Sequence, residues 1–449
     1  MGHLVPNPNA QADGRTTTEL GAVLPKTAEV RTSRLFVGGV DLVELARDQG
    51  TALYVMDVEH IKHQLTSYKE AFDLDITVAY AGKAFLNKAM VRILAEEGCY
   101  LDVSGGGELA IALAAGFDPA HVIVHGNNKT VQELTEAIEA GVGLIVVDCL
   151  EEIERISRIA TERGIEQPVL LRIKPGVVAD THDYIVTGAE DSKFGFGITD
   201  GMAEQAVRTA LENPGLKLKG LHIHLGSQIF SIRPYAEALG VLAAFAELMH
   251  TTYQCAPEIL DLGGGLGIAY QASDEPATIA EYGRLITQHV TEAFGNVGAP
   301  EPTIIVEPGR SIVANAGVTL YTVGAIKDLK GIRCYVAIDG GMTDNIRPAL
   351  YDARYEAVIA NKANQARDTL VTLAGKHCES GDMIAVDASI QTPEVGDIVA
   401  VLGTGAYNAT MSSNYNAQVR PAVVFVEQGA ATVVQRRETY EDLLRRDLG

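Results

Sequence analysis

Positive charge is scarce in this sequence. Its 36 Lys and Arg face 58 Asp and Glu, a formal net charge of −22 at pH 7. That balance argues against a nucleic-acid binder, because neutralising phosphates takes clustered Lys and Arg. Long apolar runs are missing too. None approaches the ~18 residues needed to cross a bilayer, and the longest, around Val241 to Met249, has the pattern of an amphipathic helix. The opening MGHLVPNPNA has neither the basic nor the apolar region of a secretory signal, and Pro6 stands where a myristoylation motif wants Ser or Thr. Cysteine is sparse and scattered: Cys99, Cys149, Cys255, Cys334 and Cys378 show no CxxC and no metal-type spacing. Such a set reads as small buried hydrophobes with room for one functional thiol. These absences lead us to expect a soluble, cytoplasmic protein with no nucleic-acid or membrane partner.

The composition that remains is 47% hydrophobic and 21% charged, the profile of a folded chain with a large core. Its 449 residues suggest two or three domains. Residues 1–25, rich in Pro, Asn, Thr and Gly without periodicity, read as a disordered tail. From Thr77 to Arg310 a regular alternation appears. Strand-like runs end at TVAYAGKA, YLDVSGGG, HVIVHGNN, GLIVVD, PVLLRIKPG, GLHIHLGSQ, EILDLGGG and TIIVEPGR, and helix-like segments follow the first seven. Runs that are apolar and β-branched on both faces suit parallel strands covered by helices. Eight βα units over this length predict a (β/α)₈ TIM barrel, over residues 58–312. After Ser311 the strands lack regular intervening helices. Residues 313–449 therefore read as an all-β domain, a sandwich or small barrel, to which residues 26–57 contribute through the strand near Leu35.

In a TIM barrel the chemistry sits at the C-terminal ends of the strands. Lys83, Asp102, His125, His224, Gly263 to Gly265 and Arg310 all fall there. A lysine in a barrel mouth, partly desolvated, is prepared for Schiff-base chemistry. The loops after strands six, seven and eight carry Ser227, Gly264 with Gly265, and Glu307-Pro308-Gly309-Arg310. Glycines there let backbone N–H groups approach a phosphate, and a carboxylate at the same rim can keep a pyridine nitrogen protonated. Gly82-Lys83 lacks the flanking residues of a P-loop. Gly105-x-Gly107 lacks the acidic partner of a dinucleotide fingerprint. His222 and His224 alternate on a strand, so they could serve a metal-dependent barrel hydrolase with Asp261, a stacking role above a cofactor ring, or structure alone.

YAGKAF, GLHIHLGSQI, LDLGGGLG, VEPGRS, HCESGD, GTGAYN and MSSNYNAQVRP, in this order, resemble the diaminopimelate decarboxylases, a family of fold-type III pyridoxal-phosphate decarboxylases. The resemblance runs from about residue 30 to the C-terminus; at Gly105 the family more often has Ser. It implies pyridoxal 5'-phosphate as cofactor, held by Lys83 as a Schiff base, with His224 stacked on its ring. Asp102, Ser227, Gly264, Gly265, Glu307, Gly309, Arg310 and Tyr407 complete the implied cofactor site. Arg310, Arg347, Tyr351, Glu379 and Tyr407 are the implied substrate residues, and Cys378 the implied proton donor, reaching the site from the partner subunit of a homodimer. The implied reaction converts meso-2,6-diaminopimelate to L-lysine and CO₂, the last step of lysine biosynthesis, with no metal. The alternatives are decarboxylation of a carboxylated polyamine or a basic amino acid, and the metal-dependent hydrolase built on His222 and His224.

Overall fold

The computed structural model describes residues 7, 9–177 and 193–449. The chain forms two compact units. One joins residues up to His63 with Ile268–Glu275 and Ser311–Gly449; the other comprises Gln64–Gly267 and Pro276–Arg310.

The second unit is the barrel. Its eight strands are Ile76–Ala81, Tyr100–Val103, Val122–Val124, Leu144–Val147, Gln167–Lys174, Leu216–His222, Ile259–Asp261 and Thr303–Val306. Each pairs in parallel with the next, and the eighth pairs with the first, which closes the sheet. All eight runs expected from the sequence are these strands. They pair because they are short, apolar and buried on both faces, as in Val122–Val124 and Leu144–Val147. Ala79, Ile123, Leu144, Val146, Leu170 and Ile305 pack together as a core. Truncating one of these branched side chains to alanine costs about 2–5 kcal/mol.

The covering helices start where local chemistry satisfies their free N–H groups. Asn87 accepts from Met90 N ahead of Lys88–Glu96, and capping boxes built on Thr130 and Thr278 begin Val131–Ala140 and Ile279–Gly295. No helix among the described residues is long and apolar enough to cross a membrane.

The first unit is built on a mixed sheet. Gly317–Leu329 runs through it and pairs with Arg333–Ile338, Leu53–Asp57 and Ile398–Leu402. Leu53–Asp57 is also parallel to Ala422–Glu427. The N-terminal strand recruited into this sheet is therefore Leu53–Asp57, buried along its whole length. The strand near Leu35, expected in that place, pairs instead in a separate three-stranded sheet with Glu29–Arg31 and Val40–Asp41. Its alternating burial leaves only one face to pack. Ile268–Glu275, expected within the barrel, belongs to this unit, where Ala269 O accepts from Asn315 Nδ2 at 2.9 Å.

The tail expected over residues 1–25 needs correction as well. Residues 1–6 and 8 lie outside the described residues. Beyond them the chain is pinned: Gly14 N donates to Arg367 O, and Arg367 N donates to Arg15 O. Thr17–Val23 form a 3₁₀ helix that buries Leu20 and Val23. The Arg367 guanidinium, 1% exposed, meets Asp13 at 3.2 Å and pairs with Glu356. Polar composition hid a segment whose partners lie more than 300 residues away.

Candidate active site

Six titratable groups converge at the C-terminal end of the barrel because each lies near the end of a strand or directly follows one. Asp102 lies in the second strand, His125 follows the third and Arg172 lies in the fifth. His222 and Asp261 end the sixth and seventh, and Glu307 follows the eighth. Glu307, 4% exposed, is the hub. Its Oε1 lies 2.6 Å from His125 Nε2 and its Oε2 lies 3.3 Å from His222 Nε2. Burial alone would drive this carboxyl up, but the contacts of its two oxygens with the His125 and His222 rings outweigh it and hold Glu307 well below the ordinary range. Its neighbours go the other way. Burial, then the Glu307 charge, pushes Asp261 well above the ordinary value, and burial raises Asp102. Burial also lowers His222 to about 3. Glu307 is thus the carboxyl of the pocket most strongly held ionised, beside a neutral His222 imidazole.

The glycine loops stand beside this cluster. A Cβ on Gly264 would lie 2.1 Å from Glu307 O. Gly265 has φ +122°, and a Cβ there would meet Gly226 O at 2.5 Å. Only glycine fits either position. Arg310, 7% exposed, donates from Nη2 to Ser227 Oγ at 2.8 Å. Gly264 N donates to His224 Nδ1 at 3.3 Å, which leaves the proton of the neutral ring on Nε2. Burial, then the Lys83 charge, pushes His224 well below its ordinary value. Lys83 itself sits in the 3₁₀ turn Gly82–Ala84 directly after the first strand. Lys83 is exposed there. Gly309 packs against Ala81 and Ala84, where a Cβ would lie 3.0 Å from each methyl.

The remaining expected residues belong to the other unit. Arg347 opens the short helix Arg347–Tyr351, so Tyr351 follows it by one turn. The Arg347 guanidinium is buried and donates to the phenols of Tyr270 at 3.1 Å and Tyr355 at 2.5 Å. No acidic partner for it occurs among the described residues. Cys378 and Glu379 are exposed on a turn that Asp382 shapes, accepting from His377 N at 2.8 Å and Met342 N at 2.6 Å. His377 is fixed in turn by Thr343 at 3.0 Å and Asn416 at 3.1 Å. Tyr407 is half-buried with φ +61°.

Sequence reasoning placed His125 at a strand end but gave it no role, and it missed Arg172, Tyr270 and Tyr355. The signal for His125 was HVIVHGNN, an apolar run closed by a lone histidine. The metal reading is corrected here. His222 and His224 do not form its ligand pair, because the strand ends at His222 and His224 turns to Gly264. The groups that cluster with His222 are His125, Asp261 and Glu307.

Comparison with known proteins bears on the same residues. The description "Pyridoxal-dependent decarboxylase, pyridoxal binding domain" matches residues 58–314. The diaminopimelate decarboxylase of Bacillus subtilis (strain 168) is 48% identical over 417 residues, 92% of this chain and 95% of that protein. That of Mycobacterium tuberculosis (strain H37Rv) is 43% identical over 448 residues, 97% of each. Among solved structures, the diaminopimelate decarboxylase of M. jannaschii in complex with L-lysine superposes with a TM-score of 0.88 at 36% identity, covering 95% of this chain and 98% of that one. The Helicobacter pylori enzyme with L-lysine gives 0.82 at 31%, covering 90% and 98%. With a barrel that matches the pyridoxal-binding domain and relatives that align along nearly its whole length, the chain belongs to the diaminopimelate decarboxylases of the pyridoxal-dependent decarboxylase family.

Proposed function

We propose that this enzyme decarboxylates meso-2,6-diaminopimelate to L-lysine and CO₂, using pyridoxal 5'-phosphate, as the last step of lysine biosynthesis. The observation that carries the reading is the barrel end itself, where a strand-end lysine, a buried ionised carboxylate and a glycine cradle share one rim.

The residues fit the cofactor. Glycine at 264 and 265 lets the loop backbone pack tightly against Glu307 O and Gly226 O at the rim where a phosphate would need N–H donors, and Arg310 with Ser227 adds charge and a hydroxyl. Gly309 and Tyr407 are assigned to the same phosphate. Lys83 supplies the amine that tethers the cofactor. His224, neutral, covers the ring face, and Asp102 lines the same end of the barrel. Glu307 keeps a proton on the ring nitrogen, for which an ionised carboxylate is required. Bound there, the cofactor supplies a sink for the electron pair left when CO₂ departs.

The substrate assignment draws on the other unit. A buried guanidinium met, among the described residues, only by phenols favours an anion, so Arg347, with Tyr351 and Arg310, is assigned the substrate's distal carboxylate. Glu379 is assigned the distal amine. Cys378 delivers a proton to Cα. Its exposure on a turn supports a homodimer in which Cys378 of the partner subunit completes each site. Dispersed free thiols suit a reducing compartment and support a cytoplasmic location.

The test is to supply the purified chain with pyridoxal phosphate and, separately, meso-diaminopimelate, L-lysine, L-ornithine and a carboxylated polyamine, following CO₂ and amine products. Lysine and CO₂ from diaminopimelate are expected. Equal or faster turnover of any of the others would overturn the substrate assignment.

A further inference from the structure

Glu307 needs help to remain a carboxylate, and the geometry shows where most of that help comes from. It follows the eighth strand, its own N–H tied to Gly263 O at 2.7 Å. Water reaches 4% of it. A buried carboxylate without donors takes up a proton. Two rings face it. His222 is the weaker partner: its contact is at the long end of hydrogen bonding, and its Nδ1 has no hydrogen-bond partner among the described residues. His125 makes the short contact of 2.6 Å to Oε1. Its backbone N–H donates to Val103 O at 2.8 Å, and its ring stands edge-on to His222 with centroids 4.9 Å apart. The other groups around the hub are Asp102, whose Oδ1 lies 3.7 Å from the same His125 nitrogen, Asp261, and the more distant Arg172 and Lys83.

We propose that His125 is a positioning residue of the decarboxylation: by donating from Nε2 to Oε1 of Glu307 it fixes the carboxylate that faces the ring nitrogen of bound pyridoxal phosphate. This deepens the assignment of Glu307 to that nitrogen and rests on it. His125 touches neither substrate nor ring in this role. Without its donor, the burial of Glu307 is no longer offset, the carboxyl takes the proton, and the ring nitrogen loses it. The electron sink weakens while substrate binding is untouched. The effect therefore falls on kcat and leaves KM in place.

The experiment uses holoenzyme carrying pyridoxal phosphate labelled with ¹⁵N at the ring nitrogen, read by NMR, with kcat and KM measured on the same samples. His125→Leu and His125→Asn remove a donor that reaches Oε1; His125→Gln places an amide N–H near the position of Nε2. The Leu and Asn variants are expected to move the ring nitrogen from its protonated toward its unprotonated shift. They should also lower kcat by roughly 10- to 100-fold, the worth of one hydrogen bond to a charged group, with KM within about threefold of wild type. His125→Gln should restore both readouts in large part. A wild-type shift and kcat in Leu and Asn would overturn the inference, as would a Gln variant no better than Leu, since packing alone would then explain the loss. Glu307→Gln separates the two readings. If it leaves the ring nitrogen protonated, the assignment of Glu307 fails; if it deprotonates the nitrogen while His125→Leu does not, only the role of His125 fails.

Discussion

Replacing Arg347 by Met separates binding from stability. The guanidinium is 7% exposed, and its polar partners are the two phenols. Burying such a cation costs several kcal/mol. Two hydrogen bonds to a charged group return about 1.5–3 kcal/mol each. The rings of Tyr270 and Tyr355, with centroids 5.1 and 5.8 Å from the guanidinium carbon, return a further part. The terms nearly cancel, so Arg347→Met should change stability by no more than about 1 kcal/mol, a Tm shift of roughly 2–4 °C for a unit of this size. Losing a charge-assisted partner of the substrate's distal carboxylate is a different matter, worth about 2–4 kcal/mol in a desolvated site. At 1.4 kcal/mol per decade, kcat/KM for diaminopimelate should fall roughly 30- to 700-fold. The assay pairs steady-state CO₂ release with calorimetry and with the visible spectrum as a measure of cofactor content. A variant that unfolds many degrees lower yet keeps kcat/KM per folded molecule would make Arg347 structural. One that loses the cofactor would move Arg347 to the cofactor site.

Lys83→Ala should abolish covalent retention of pyridoxal phosphate and lower decarboxylation by several orders of magnitude; near-normal activity without added amine would remove the lysine from the mechanism. Mixed in equal amounts and allowed to exchange, inactive Lys83→Ala and Cys378→Ala dimers should recover about 25% of wild-type activity, since half the dimers are then mixed and each mixed dimer has one intact site. No recovery after verified exchange would place both residues in one subunit's site. His60, buried and lowered to about 4 by that burial, accepts from Lys26 N at 2.9 Å. Its pKa is lower folded than unfolded, so the unfolded chain binds the extra proton and stability falls as pH drops from 6.5 toward 4. At pH 5 this amounts to about 2 kcal/mol. His60→Asn, which keeps an acceptor near the position of Nδ1, should flatten the loss of Tm between pH 7.5 and 5; an unchanged pH profile would show that His60 does not contribute to it.

The barrel could be read from residues because each strand carries its own signal: an apolar run closed by glycine or a polar residue. Three strands of the other unit carried none. Ala357–Ile359 is only three residues long, Met383–Ile390 is interrupted by Asp387 at φ +53°, and Ala430–Gln435 is largely exposed. The pattern fails wherever a residue's partner is distant. Asp13 looked like part of a tail because Arg367, the cation it meets, comes more than 300 residues later.

The site shows the same division at finer scale. Lys83, the glycine loops and Glu307 stand out in the sequence because their chemistry is local to a strand end. His222 and His224 misled because alternation along a strand holds only while the strand lasts, and this one stops at His222. His125 lies 182 residues from Glu307, and no spacing rule connects them. Ring closure brings the two together, with the eighth strand pairing to the first and the third two places further round. That same closure excludes water, and exclusion makes the protonation state of Glu307 depend on its donors. A strand-end acid in an open sheet would be ionised by solvent alone. Here it stays ionised through His125 and His222, so the residues that set the charge of the site are ones whose meaning appears only after the barrel has closed.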